Sequence, residues 1–448
     1  MKQTSIHSRK LMSIIELLYY SFIISTISIL FIGYQYGEGD SLFLLMPALK
    51  NIDPLYLIND HFVNSSVEFG PRYYWTLLVS FLVKYISLEH VFFYLLYLTY
   101  YTITYITLYT TNRIFKINVL FSILFTIIAF NLIPFNFGAG DHLISNYLKP
   151  STLVKPFCLL SIILALKNRP VLSICIICIG ILFSPTTGLE TAIFSLSIIV
   201  FGYIYDISST NSLDSWQLYK LLKKILPAGI LLLLFISYYW LFEYANIPTI
   251  DNSKYLDAFI FRNYHNITPS QFPVRAYIRF LFFSICLIFS FRYLTFNYSD
   301  NRRELFQIKY LLVSILIFCF LGYLFSEIYL VKSWIIAMPF RIVFLYKWLG
   351  IIIIFFAFYH SLIAKQTHPI KILLYSFKEN IKQIVPENFI PTKYLLVMLS
   401  LLTTIIFVPL IKAYTQLQWI SFIFSIIFFV WLIIVNNKYL RYGIPLLF

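Results

Sequence analysis

The chain reads as an all-α, polytopic helical membrane protein with about twelve or thirteen transmembrane helices, and three observations lead there. Of its 448 residues, 60% are hydrophobic and only 12% charged, with a mean hydropathy of +0.80. A soluble domain carries about 25% charged residues, so a soluble enzyme is excluded. Apolar runs of the roughly 17–25 residues that a bilayer demands recur from Leu11 to Trp431, whereas a transmembrane barrel would show short alternating segments. The formal net charge of +15 is scattered between these runs rather than gathered on a soluble domain. Basic residues placed so are topology signals, not a nucleic-acid surface.

The first run, 11–33, follows the basic stretch MKQTSIHSRK; it is too long for a signal-peptide core and no small-residue cleavage site follows, so it reads as an anchored span. Further runs lie near 91–110, 117–134, 150–166, 171–184, 186–205, 224–241, 275–292, 308–325, 342–363, 393–411 and 418–435. Basic clusters such as Arg113/Lys116, Lys167/Arg169, Lys220/Lys223/Lys224 and Arg302/Arg303 fall between them. Placing those clusters in the cytoplasm puts both termini inside and makes the full spans about twelve. A thinner run, 73–88, is bracketed by Pro71 and Lys84 and reads as a re-entrant or tilted helix packed in protein. A crossing there would make a thirteenth span.

This parity leaves 34–72, 134–150, 182–189, 241–274, 326–341 and 411–417 on the outer side. The chain is then one integral membrane domain, 1–448, with a first outer loop 34–72, an outer loop 241–274 and a basic cytoplasmic connector 364–392. No internal repeat is visible. The 13 glycines form no phosphate-cradling loop before a helix, which argues against a built-in nucleotide motor. All five cysteines sit in apolar runs, and the Cys175/Cys178 pair has no second pair or histidine cluster nearby to make a metal site.

The first outer loop is the most acidic. Asp40 stands at a plausible N-cap of a short interfacial helix from Ser41 to Leu49, with Glu38 just before it. A carboxylate held there can act as general base on an acceptor hydroxyl, and capping is compatible with that role. In the second outer segment, Asp141 and His142 are either an acid/base pair, a ligand pair for a divalent metal, or loop polars facing water, with Lys149 close by. No other cofactor is indicated. Glu190, at the start of a span, is placed to face a wet cavity. Arg262, His265, Arg275 and Arg279 cluster at one span mouth, where guanidinium forks suit phosphate or pyrophosphate and interfacial anchoring is the alternative. Arg341 begins another span and Lys347 lies further in, which makes a second anion-binding candidate.

The order of these pieces resembles a group of bacterial polytopic proteins that are GT-C-like, akin to membrane glycosyltransferases using polyprenyl-phosphate sugars. The residues that carry the resemblance are Leu45-Met-Pro-Ala-Leu, Asp53-Pro-Leu, Asn59-Asp-His-Phe, Gly70-Pro-Arg-Tyr-Tyr-Trp, Leu148-Lys-Pro-Ser, Pro185-Thr-Thr-Gly-Leu-Glu and Arg262-Asn-Tyr-His-Asn-Ile-Thr-Pro-Ser, within roughly the first 280 positions. The resemblance implies a transferase in the bacterial cytoplasmic (inner) membrane. It would move a sugar from a polyprenyl-phosphate lipid to a glycan or lipid acceptor of the cell envelope, on the outer face. Asp40, or else Glu38, would take the base role, and Asp141 only loosely fills the second acidic site such enzymes often carry. Two alternatives stay open: an O-antigen-type polysaccharide-repeat polymerase, and a lipid-linked sugar flippase or transporter. The last calls for ionisable residues midway along several spans, and the spans here read as mostly free of charge.

The topology is directly testable with a membrane-impermeant thiol reagent. Phe62→Cys and Tyr255→Cys should be labelled from outside the cell and Tyr375→Cys should not; external labelling at 375 would overturn the assignment.

Overall fold

Local chemistry starts and stops the helices of this chain, whose computed structural model describes residues 12–363 apart from 38–39, 68, 71, 132–142, 211–214, 245–256, 258, 262, 265–266 and 299–300. Helix α1 (Ile14–Ile32) opens on a capping box: the Glu16 N–H donates to Ser13 Oγ at 3.1 Å and the Ser13 N–H to Glu16 Oε2 at 2.7 Å. It ends at Gly33, whose φ of +84° suits a residue without Cβ. The first loop then holds α2 (Asp40–Ile52) and α3 (His61–Ser66). Two of its acids have local work: Asp53 accepts from the Leu55 N–H at 2.9 Å, and Asp60 accepts from the Val63 N–H at 2.9 Å at the start of α3.

After α4 (Tyr73–Val83) comes α5 (Leu88–Tyr109), prolonged by a π-helical turn over Thr110–Ile114, and then α6 (Val119–Asn131). Prolines stand in the first turn of the next four helices, α7 (Pro150–Leu153), α8 (Lys155–Leu166), α9 (Pro170–Phe183) and α10 (Pro185–Thr210), where their missing N–H costs nothing. The remainder are α11 (Ser215–Tyr244), α12 (Val274–Asn297), α13 (Arg302–Tyr323), α14 (Lys332–Ala337) and α15 (Val343–Ile363).

The described residues are all-helical, without strands. Six stretches among them are long and apolar enough to cross a membrane: Leu88–Ile114, Pro185–Ser209, Leu221–Tyr238, Val274–Asn297, Arg302–Ile328 and Lys332–His360. Four other expected spans are shorter apolar helices, Ile14–Leu30, Val119–Phe130, Pro150–Leu166 and Pro170–Phe183. The last is cut by Pro170 and by the break at Ser184, and its 14 residues cover about 21 Å of a roughly 30 Å hydrocarbon core. Helix α4 has 11 residues, about 16 Å, and lies against α2 through Ser80, whose hydroxyl reaches the Ala48 carbonyl at 3.2 Å. The runs 393–411 and 418–435 and the 364–392 connector lie outside the described residues.

The chain divides into two units. The first comprises Met1–Ala276 and Ser299–Ile353, the second Tyr277–Tyr298 and Ile354–Phe448. Hydroxyls join the helices of the first unit, as expected where water is scarce and polar groups must find protein partners. Ser161 on α8 meets Ser173 on α9 and Ser195 on α10, each at 2.8 Å. Trp348 Nε1 on α15 donates to Thr107 Oγ1 on α5 at 3.0 Å, and Gln307 on α13 donates to the Ile198 carbonyl on α10 at 2.9 Å. Further along the same two helices Arg303 grips both oxygens of Asp206, at 2.9 and 3.0 Å. Within the second unit, Tyr293 Oη meets His360 Nδ1 at 3.2 Å, and the Tyr298 ring stands edge-on to Phe356 with centroids 4.9 Å apart.

Glycine 188 sets the approach of α10 to α9, since a Cβ there would lie 2.6 Å from Ile181 Cγ1 and 2.9 Å from Ile181 Cα. Backbone cannot yield as a side-chain tip can. Gly188→Val should therefore destabilise the protein by about 1–3 kcal/mol in thermal unfolding in detergent. Gly229→Ala on α11, where a Cβ meets nothing within 4 Å, should leave the midpoint unchanged or raise it. Equal midpoints for Gly188→Val and the wild type would remove the close approach.

Candidate functional site

Among the described residues, three charged side chains are buried in the first unit: Lys155 at 0% exposure, Glu190 at 5% and Lys347 at 6%. Lys155 opens α8, Glu190 sits in the second turn of α10, and Lys347 sits in the second turn of α15. They share surroundings. Lys155 and Glu190 both act electrostatically on the Cys158 thiol, which Thr191 also hydrogen-bonds. Glu190 further acts on Cys319 of α13, and Lys155 and Lys347 act on each other. Lys155 Nζ lies 5.8 Å from the centroid of the Phe344 ring, less than one turn before Lys347. Charges taken from water into such an interior are costly unless they are paired and hydrogen-bonded. Two amines and one carboxyl group are thus held away from water on α8, α10 and α15. Neither lysine stands at a helix C-terminus, where the macrodipole would favour a cation, so helix stability does not account for them.

A polar seam leads from two of the predicted outer segments toward this cluster. The Gln35 N–H, just after α1, donates to the Asn146 carbonyl at 2.8 Å, and the two side chains also bond to each other. Tyr100 Oη donates to the Ser145 carbonyl at 3.0 Å, and Ser145 Oγ meets Thr152 Oγ1 at 3.1 Å. Thr152 is fully buried and three residues from Lys155. Beside Gln35, Tyr34 donates to the Glu89 carbonyl at 3.1 Å. Burial, then the nearby Glu89 carboxylate and Tyr36, push the Tyr34 phenol up to about 12, so it stays a hydroxyl donor at neutral pH.

The other residues singled out from the sequence fall as follows. Asp40 is the first residue of α2, and its side chain is outside the described set; Glu38, Asp141, His142, Arg262 and His265 are likewise outside it. Lys149 is partly exposed, immediately before α7, with Nζ 5.8 Å from the Tyr147 ring centroid. Arg275 is exposed near the start of α12. Arg341 is partly buried on the 3₁₀ turn Pro339–Ile342, with its Nε enclosed. Glu190 is buried on α10 and Lys347 is buried on α15.

Lys155 is the residue that sequence reading missed, because the run LVKPFCLL reads as span. The signal available was a lysine inside an otherwise apolar stretch, by default a functional position in a membrane protein. Spans expected to be mostly free of charge thus carry three buried ionisable groups. Among the described residues no group of three or more His, Cys, Asp and Glu is arranged to hold a metal ion.

Between α10 and α13 lies an open cleft of about 240 Å³. Glu190 and Leu321 line one end of it, Ser197 and Ser314 the other, and Ile193 and Ile317 stand between them.

The charge cluster makes a thermodynamic prediction. Glu190→Leu removes the acid from this group and should lower stability by about 1–3 kcal/mol in detergent unfolding. Adding Lys155→Met to that variant should restore part of the loss, with a coupling of about 0.5–3 kcal/mol. Strict additivity of the two changes would show that they do not share a site.

No protein-family model, no curated protein and no solved structure matches the chain, so its function is argued from the site itself.

Proposed function

We propose that the protein is a GT-C-like membrane glycosyltransferase of about twelve or thirteen spans, which moves a sugar from a polyprenyl-phosphate donor to a cell-envelope acceptor on the outer face of the bacterial cytoplasmic membrane. The observation that carries the reading is the buried pair Lys155 and Lys347, approached along the seam from Gln35 and Asn146. A donor of this class presents a phosphate at membrane depth, and paired ammoniums stabilise both that phosphate and the charge it gains as the glycosidic bond breaks. In this reading Asp40, five residues beyond Gln35 and first in α2, removes the proton of the acceptor hydroxyl. Tyr34 and Tyr36 offer hydroxyls and ring faces beside that position.

A second reading has support of its own. Buried ionisable groups on α8, α10 and α15 are also what a lipid-linked sugar flippase or transporter needs along its path. The two readings separate in proteoliposomes supplied with a labelled polyprenyl-phosphate sugar and an acceptor. For a transferase, Asp40→Asn should lower product formation by about 10²–10⁴-fold while the protein inserts and purifies normally, because the amide keeps the side chain's size but cannot take a proton. Wild-type turnover in that variant overturns the transferase reading. Movement of the labelled lipid across the bilayer without any product favours the transporter.

A further inference from the structure

We infer that the first turn of α5 holds the ammonium group of an amine-bearing phospholipid, between the Glu89 carboxylate and the ring of Tyr36. The site is built on one helix face: Phe92 and Phe93 stand three and four residues after Glu89 and share its side of α5. A tyrosine covers each of them. The Tyr36 ring stands edge-on to Phe92 with centroids 6.1 Å apart, and the Tyr34 ring edge-on to Phe93 at 5.3 Å. These rings are pinned. Gly33 and Gly37, with φ of +84° and +73°, turn the chain on either side of Tyr34-Gln35-Tyr36. The Gln35 N–H donates to the Asn146 carbonyl at 2.8 Å, and the Tyr34 hydroxyl to the Glu89 carbonyl at 3.1 Å. Behind Phe92, the fully buried Trp75 closes the face with its ring edge-on at 5.8 Å.

Out of this frame come an exposed carboxylate and a phenol ring that is 38% exposed. Among the described residues no lysine or arginine makes an ion pair with Glu89, and His90 turns instead to Ser87, Nδ1 to Oγ at 2.5 Å. Burial and then Glu89 raise the phenols of Tyr34 and Tyr36, in keeping with a carboxylate close to both, and the hydroxyls stay neutral. A carboxylate beside aromatic rings is the chemistry that recognises an alkylammonium, by ion pair and by cation–π attraction. The helix dipole accounts for an acid in the first turn, but not for two tyrosines fixed around it. Depth argues for a lipid. The apolar stretch Leu88–Ile114 has 27 residues and rises about 40 Å, against a hydrocarbon core of roughly 30 Å, so its ends reach the headgroup layer. Further along α5, Tyr94 and Leu98 are each 54% exposed, a surface that acyl chains can cover while the head stays at Glu89. This lipid is neither the donor nor the acceptor of the transferase reading, and the inference does not rest on that reading.

Dioctanoyl phosphatidylethanolamine, dioctanoyl phosphatidylglycerol and free ethanolamine, each titrated into the purified full-length protein in detergent, form the test. Phosphatidylethanolamine should bind saturably and raise the thermal unfolding midpoint. Its affinity should exceed that of phosphatidylglycerol, which has the same chains and phosphate but no amine, by about tenfold or more, the scale of one charge-assisted contact. Equal affinities overturn the proposal and leave Tyr34 and Tyr36 as interfacial anchors. An equal effect of ethanolamine alone overturns the choice of a lipid. Glu89→Gln keeps the size of the side chain and should abolish the preference, while its lipid-free midpoint reports whether it folds as the wild type does. An unchanged preference in that variant is equally fatal. Tyr36→Phe should retain the preference, and Tyr36→Leu should weaken phosphatidylethanolamine binding by about twofold to fivefold. A water-soluble carbodiimide gives a readout independent of any variant: it should join the lipid amine to the Glu89 carboxylate as an amide, seen in the mass of the peptide that carries Glu89. Amides of that lipid formed only on other carboxylates sink the site.

Discussion

Charge held away from water is the constraint around which the first unit is organised. Lys155, Glu190 and Lys347 stand on three different helices, and each alone would be too costly to bury. Their burial is tolerable only if α8, α10 and α15 keep their mutual register, because the attraction that offsets desolvation falls away as the groups separate. The hydroxyl contacts of Ser161 with Ser173 and Ser195 do that work on one side. Trp348, one residue beyond Lys347, does it on the other by donating to Thr107 of α5. These contacts involve small or neutral polar groups because they lie where a bilayer supplies no competing water. They hold together the helices that carry these groups.

Helix α10 has a divided character along its length. Its far end is locked to α13 by the Arg303–Asp206 fork and by Gln307, and Gly202 leaves room there for both side chains, whose heavy atoms would collide with any Cβ at that position. Its near end packs on α9 through Gly188 and carries Glu190 into the charge cluster. Between these ends the partner residues change from polar to apolar, and the two helices no longer fill the space between them.

The sequence made the helices legible because what makes them is local. Ser13 and Glu16 three residues apart, prolines at 150, 170 and 185, and unbroken apolar runs all act within a few residues of themselves. Span lengths were less legible: Pro170 and Ser184 cut a run that hydropathy alone extends. Glu190 stood out as a lone acid following a turn, and Lys347 as a cation inside a span, yet nothing in their spacing of more than 150 positions announces that they share a cluster. Lys155 was hidden for a related reason. Averaging over LVKPFCLL submerges one ammonium among leucine and phenylalanine, whereas the physics of burial weights that one group most heavily. The pairing of Gln35 with Asn146 is likewise non-local and belongs to the tertiary fold.

The weighing of transferase against transporter turns on what the buried lysines must do after binding. A transporter releases its cargo on the other side, so a strongly attractive interior site slows it unless the charges can be rearranged or neutralised. A transferase has a use for strong attraction, provided it grows as the reaction proceeds: cleavage of the sugar–phosphate bond leaves more negative charge on the phosphate than the intact donor carried, and preformed ammoniums favour that later state over the earlier one. The rigid hydroxyl and indole contacts around Lys155 and Lys347 argue for preformed positions rather than rearranging ones. In the proposed transferase, the seam from Thr152 through Ser145 to Asn146 and Gln35 would link the buried lysines to the start of α2, where the acceptor's proton would be taken.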